Sequence, residues 1–312
     1  MKVLVTGGAG FIGSHLVDVL IGKGHEVLVF DNLSSGRMEF LKQHKKNPAF
    51  KFVKGNLLDL ESISKQMKGV EMVFHLAANP DARAAIRDTS IDLNLETIAT
   101  YNVLEAMRRN DVGRIIFSSS GTVYGDAFSK PLAEDYGPLF PISLYGAGKL
   151  ASEGLISAFG GTFGFQAWIF RFTNIVGPRA THGVIYDFVN KLKINPNELQ
   201  VLGNGTQAKP YLHVSDCVGG ILFGLDHAKD KLNCYHLAVE GATSVRKIAE
   251  WTAKYYGTNP KIIYGTEDRG WPGDISQVLL DTAKAQKLGW HASMTSDQAA
   301  ERSVREVVAE MK

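Results

Sequence analysis

The stretch Val5-Thr6-Gly7-Gly8-Ala9-Gly10-Phe11-Ile12-Gly13 constrains this chain more than any other. It follows a short β-branched run, "KVLVT", and opens a helical pattern, "FIGSHLVDVLIGKG". Glycine permits positive φ in a tight turn, close approach of a ligand to the backbone, and close packing of helix on strand. A helix that starts just after such a turn offers free N–H groups and a partial positive charge to a phosphate. Asp31 closes the next apolar run, "EVLVF", where a dinucleotide fold carries the carboxylate that meets the ribose hydroxyls. A carboxylate there repels a 2′-phosphate, so NAD is favoured over NADP. Arg37, just beyond "NLSSG", is the residue that argues the other way.

The alternation continues through "FKFVKG", "VEMVFHLAA", "RIIFSSS" and "FQAWIFRFTNIVG", with helical segments such as "ATYNVLEAMRR" between them. Apolar strands alternating with helices predict βαβ units and a parallel sheet buried on both faces. The expected fold class is therefore α/β: a doubly wound, Rossmann-like parallel sheet over residues 1–176. A smaller C-terminal α/β substrate lobe is expected over 177–312, with some chain exchange between the two. Past residue 176, Gly, Pro, Asn and charge are denser, as in "GPRATHG" and "GTEDRGWPGD". That texture predicts a lobe without a large core of its own. The final "SDQAAERSVREVVAEM" reads as an amphipathic helix serving as surface cover.

Composition narrows the function classes. The formal net charge is +2, which gives no field for nucleic acid or a membrane surface. The nine histidines are scattered, with no H-E-x-x-H, so no metal site is expected. Cys217 and Cys234 form no C-x-x-C and read as thiols in a reducing compartment. No apolar run approaches the ~20 residues of a membrane helix, and a cytoplasmic protein is expected.

"LYGAGK" places Tyr145 and Lys149 four apart, on one helix face. A lysine beside a phenol favours the phenolate, and a tyrosine so tuned can serve as a general base. Upstream, the strand "RIIFSSS" runs into hydroxyls. Ser118 and Ser119 read as residues satisfying their own backbone, and Ser120 as the hydroxyl placed for chemistry. Each of these patterns is weak alone; a dinucleotide cradle, a hydroxyl-bearing strand end and Y-x-x-x-K in that order are not.

With "TGGAGFIGSH", "DNLSSG", "GNLLD", "FHLAAN", "SSSGTVYG", "YGAGK", "RFTNIVGPR", "PYLHVSD" and "DRGWPGD", nearly the whole chain resembles the extended short-chain dehydrogenases/reductases. Within them it is similar to the NAD-dependent sugar-nucleotide epimerase/dehydratase family, nearest its archaeal-type UDP-glucose 4-epimerase branch. The resemblance implies that Gly7, Gly10, Phe11, Ile12 and Gly13 hold a pyrophosphate, and that Asp31, Asn32, Leu33, Ser34, Ser35 and Gly36 surround the adenosine ribose. It implies Asn56 and Leu57 by the adenine, and Leu76, Ala77 and Ala78 along the cofactor. Tyr145 is implied as the base, Lys149 as its tuner and a ribose ligand, and Ser120 as the second hydroxyl on the reacting sugar oxygen. Asn174 and Arg269 are implied to hold the nucleotide diphosphate of a UDP-hexose, with Lys209, Tyr211 and the "HGVI" segment at Val184 nearby. A homodimer, paired through helices around residues 95–110 and 145–160, is also implied.

Several positions depart from the family's pattern. Asn56 stands for an aspartate and keeps an acceptor. Glu96 stands for an asparagine near the nicotinamide, which puts one cofactor-side contact in doubt. Gly148 stands for a serine and is expected to loosen the helix start by up to ~1 kcal/mol. Lys209-Pro210 stands for Arg-Asp. Gly121 and Thr122 follow Ser120 where dehydratases carry Asp-Glu, so the acid that elimination needs is missing and inversion at carbon 4 is expected. Val278 stands where a bulkier tyrosine crowds the sugar, so N-acetylated hexoses are expected to fit as well. Two other readings stay open: a net nucleotide-sugar oxidoreductase, and a non-catalytic NAD-sensing protein.

Overall fold

Side chains of the apolar runs alternate between two faces, and each face finds its own helices. Val3 and Val5 of the first strand pack into one buried cluster and Leu4 into another. The structure, a computed structural model, describes residues 1–81, 83–127, 130–267 and 279–312. Its first half runs β1 (Lys2–Thr6), α1 (Phe11–Gly22), β2 (Glu26–Asp31), β3 (Phe50–Lys54), α2 (Leu60–Gln66), β4 (Met72–His75), a single turn α3 (Ser90–Asp92), α4 (Ala99–Arg109), β5 (Arg114–Ser120), α5 (Leu144–Phe163) and β6 (Gln166–Phe172). Between α3 and α4, Leu93–Ile98 winds as a π-helix.

The rest runs β7 (Asn174–Val176), α6 (Val184–Ile194), β8 (Glu198–Val201), β9 (Ala208–Lys209), β10 (Tyr211–His213), α7 (Val214–His227), β11 (Leu232–Leu237), β12 (Thr243–Ser244), α8 (Val245–Tyr256), β13 (Lys261–Tyr264), α9 (Ala283–Leu288) and α10 (Ser296–Met311). The central sheet has the order β11-β6-β5-β4-β1-β2-β3, and its neighbours all pair in parallel. From β1 the order proceeds to β2 on one side and to β4 on the other. A crevice at the carboxyl ends of the strands is the expected outcome at such a switch point.

The chain beyond residue 176 returns to this sheet. β11 pairs with β6, and α7 buries Cys217, Ile221 and Leu222 in the same cluster as Leu16 and Leu20 of α1. Cys217 is buried, Cys234 is half-buried, and both are free. No helix among the described residues is long and apolar enough to cross a membrane.

Two expectations need correction. The smaller lobe does have its own core, in which Phe188, Val189 and Leu192 of α6 meet Leu199, Val201, Tyr211, Ile248 and Ala249. Its apolar residues sit on short pieces separated by Gly- and Pro-rich loops, so the local sequence reads as polar while the assembled lobe is not. α10 is part of that core rather than a cover: Ala300, Val304, Val307 and Val308 are buried in it. Thr295 and Gln298 close its start as a capping box.

Candidate active site

A cavity of about 620 Å³ lies over the carboxyl ends of β1, β4 and β5 and under the smaller lobe. The end beside β1 is built by glycine. Gly7 takes φ +68°, and the amide of Gly10 donates to the Gly7 carbonyl at 3.0 Å. A Cβ on Gly13 would lie 2.2 Å from the Gly7 oxygen, so no other residue fits there. α1 begins at Phe11 with no capping side chain and no acidic residue in its first turn. Its first amides are left facing the cavity, an arrangement that suits a pyrophosphate.

Asp31 ends β2 and lines the same cavity. Its carboxylate accepts from the amides of Ala9 (3.0 Å) and Leu33 (2.8 Å). Burial raises its pKa, and those two bonds offset the rise only in part. Remaining lone pairs stay available to ribose hydroxyls. Asn32, Ser34 and Ser35 line the cavity too, but Leu33 and Gly36 do not. Leu33 takes φ +61° and packs against the core, and Gly36 lies against Ala9, where a Cβ would meet backbone at 3.0 Å. Arg37 donates to the Tyr186 hydroxyl at 3.4 Å and lies over the Phe40 ring.

Leu57 and Asn56 line the far wall, but the Asn56 side-chain oxygen is engaged by the Leu58 amide at 3.0 Å. Leu76, Ala77 and Ala78 follow β4 along the floor. The glycine cradle and the Asp31 carboxylate thus suit the two halves of a dinucleotide, and NAD is the cofactor of this fold family.

β5 delivers Ser120 to the cavity, where its hydroxyl accepts from the Thr122 amide at 3.2 Å. The Thr122 hydroxyl is buried without a hydrogen-bond partner. Ser143 caps α5 by accepting from the Gly146 amide, and so sets Tyr145 and Lys149 on the first turns, facing Ser120. The Lys149 ammonium is buried. It donates to the Ser118 carbonyl at 2.9 Å and lies 2.9 Å from a carboxylate oxygen of Glu96. Nζ also sits 4.9 Å from the centre of the Phe117 ring and 5.6 Å from that of Tyr145.

The lysine does lower the Tyr145 pKa as its position suggests, but other effects outweigh it. Loss of hydration raises the phenol most, Lys149 works against that, and the Glu96 and Asp92 carboxylates raise it further. Ser118 and Ser119 are not loop residues bonded to their own backbone. Both stay in β5: Ser118 donates to the His75 carbonyl, and Ser119 donates to Glu153 at 2.5 Å. Glu153 in turn takes a two-pronged bond from Arg171, at 3.0 and 2.7 Å.

Asn174, Val184, Lys209 and Tyr211, the residues expected to hold a substrate, all lie on the cavity wall. Asn174 donates to the Pro210 carbonyl at 3.3 Å. Arg269 and Val278 lie outside the described residues. The residues absent from the sequence argument are Asn79 and Asp92. The Asn79 amide donates to Glu96 at 2.8 Å and its side chain to Asp92 at 2.8 Å. Nothing in "FHLAAN" signals that, because both partners arrive from a later segment. Among the described residues, no group of His, Cys, Asp and Glu converges as a metal site.

Comparison with known proteins agrees with this geometry. The NAD dependent epimerase/dehydratase family matches residues 3–238. A putative UDP-glucose 4-epimerase of Methanocaldococcus jannaschii is 32% identical over 308 residues, covering 97% of each chain. Among solved structures, a UDP-galactose 4-epimerase is 39% identical with a TM-score of 0.89 over 100% of both chains. A UDP-glucuronic acid 4-epimerase from Bacillus cereus, solved with UDP-glucuronic acid and NAD, is 25% identical with a TM-score of 0.89, again over 100% of both. A dinucleotide cradle at the switch point, with matches of this length, leaves one assignment: the chain belongs to the NAD-dependent epimerase/dehydratase family.

Proposed function

We propose that the protein is a UDP-hexose 4-epimerase that interconverts UDP-glucose and UDP-galactose. The observation that carries this reading is the composition of the β5 end. Ser120, Tyr145 and Lys149 converge beside the nicotinamide end of the cradle, while the next two residues are Gly121 and Thr122. Elimination needs an acid at that point. The nearby carboxylates, Asp92 and Glu96, are turned into the protein toward Asn79 and Lys149.

Bound NAD would supply a reversible hydride acceptor for carbon 4. The protein's part is the proton and the geometry. Tyr145 takes the proton of the 4-hydroxyl, helped by the positive charge of Lys149, and gives it back on return. Ser120 holds the same oxygen from the β5 side. Asn174, Lys209, Tyr211 and the start of α6 at Val184 hold the UDP moiety, so that the sugar can turn over between the two transfers. Two copies pair through the helices around residues 95–110 and 145–160, a reading supported by the exposed apolar side chains Ile98 and Tyr101.

The experiment is direct. Purified protein is incubated with UDP-galactose without added NAD, and the products are separated. UDP-glucose is the expected product. A net, stoichiometric rise of reduced nicotinamide on adding NAD would favour an oxidoreductase instead. Failure to convert UDP-N-acetylglucosamine under the same conditions would remove N-acetylated hexoses from the substrate range.

A further inference from the structure

We propose that Glu96 is a positioning residue for Lys149, admitted to the core by Gly148, and that its charge sets the lower pH limit at which Tyr145 works as a base; this rests on the epimerase reading above. Glu96 is 1% exposed. One carboxylate oxygen accepts from the Asn79 amide at 2.8 Å, and the other lies 2.9 Å from Lys149 Nζ. Its backbone carbonyl accepts from the hydroxyls of Thr100 (2.5 Å) and Ser152 (3.1 Å), which fastens the π-helix to α5. A π turn carries an extra residue and is often found at functional sites.

Gly148 makes that fastening possible. A Cβ at position 148 would lie 2.7 Å from the Glu96 Cβ, 3.1 Å from its Cγ and 3.2 Å from the Asp92 carbonyl. Any other residue there would clash with the Glu96 stem, so the side chain or the helix would have to shift. The departures at positions 96 and 148 are therefore one arrangement, in which the glycine is a fit rather than a weakness of the helix start.

The charges around the pair fix the sign of the effect. Asp92 faces Glu96 from α3, Tyr145, Lys149 and Glu153 face it or its partner from α5, and His75 faces Lys149 from β4 as a neutral ring. Without Glu96 the ammonium still has the Ser118 carbonyl, two aromatic faces and Glu153 around it. Glu96 then acts on Tyr145 directly, as a negative charge that opposes the phenolate.

The test measures kcat/KM against pH with UDP-galactose for the wild type, Glu96→Gln, Gly148→Ala and the double variant. Glu96→Gln is expected to move the acidic limb down by about one unit or more. Gly148→Ala moves it the same way, and the double variant moves it no further. An unmoved or rising limb in Glu96→Gln, or additive shifts in the double variant, would overturn the proposal. A second measurement needs no turnover: melting temperatures of Glu96→Gln, Lys149→Met and their double variant. The double is expected to lose less than the sum of the two singles, since each single removes one partner of the same buried pair. Additive losses overturn the pairing. A wild type that converts no nucleotide sugar but retains the thermal coupling overturns the epimerase reading and upholds the pair.

Discussion

Helix α5 carries two buried ion pairs one turn apart, and they are built for opposite ends. Glu153 and Arg171 meet through two parallel bonds, and every remaining group is used: Ser119 bonds Glu153, while Arg171 also reaches the Tyr124 hydroxyl and the Glu134 carbonyl. Tyr124 extends the chain to His236, whose ring meets the Asp281 carbonyl. Lys149 and Glu96 meet by one contact, and beside them one Asp92 oxygen has no partner. A saturated network is fixed in one arrangement. An unsaturated one keeps donors and charge for something that arrives later. Two pairs of similar burial thus differ: one holds α5 and β5 against β6, and the other lies beside Tyr145, the proposed base.

The comparison can be broken by stability first. Arg171→Met strands Glu153 and should cost about 3–5 kcal/mol in denaturant unfolding. Lys149→Met should cost clearly less, because burial already raises the Glu96 pKa and a neutral carboxyl can form. Equal losses would mean that the two pairs do the same work. Tyr145→Phe should leave the melting temperature unchanged and reduce conversion of UDP-galactose by ~100-fold or more, the scale of general-base catalysis. Near-normal turnover would take the phenol out of the mechanism.

Asp31→Asn should weaken NAD binding by about tenfold, measured by titrating the cofactor-free protein, since a charge-assisted bond to ribose is lost. The last prediction concerns His75, held between Thr6 and Thr100 and buried with its pKa lowered to about 3. Its unfolded value is near 6.5, so the unfolded chain binds the extra proton. The stabilisation is full above that value and fades as pH falls toward 3. The melting temperature of His75→Gln should therefore fall less steeply over that window than that of the wild type. Parallel curves would show that His75 contributes nothing to the acid response.

What was legible in the chain was whatever one segment decides alone. The glycines of the cradle, Asp31 at a strand end and the Tyr145–Lys149 spacing are local patterns, and the structure places them around one cavity. Leu33 misled because a positive φ reverses a side chain without changing the letters around it. Ser119 misled because its partner, Glu153, is on another element and arrives only with the packing of α5 on β5. Glu96 showed as an irregular letter. Its meaning needed Asn79, Gly148 and Lys149 in one place, and those come from two other segments, the loop after β4 and the start of α5. The smaller lobe's core was invisible for the same reason.

The return of the chain to the main sheet has a practical consequence for anyone cutting or grafting this protein. A fragment ending at residue 176 would lack β11 and present the unpaired edge of β6, including the ladder from Ala167 to Phe172, to any other chain. It would also bare the α1 surface that α7 covers. Such a fragment should aggregate rather than serve as a stand-alone cofactor carrier, and the sugar-binding half cannot be exchanged as a cassette without taking a piece of the central sheet with it.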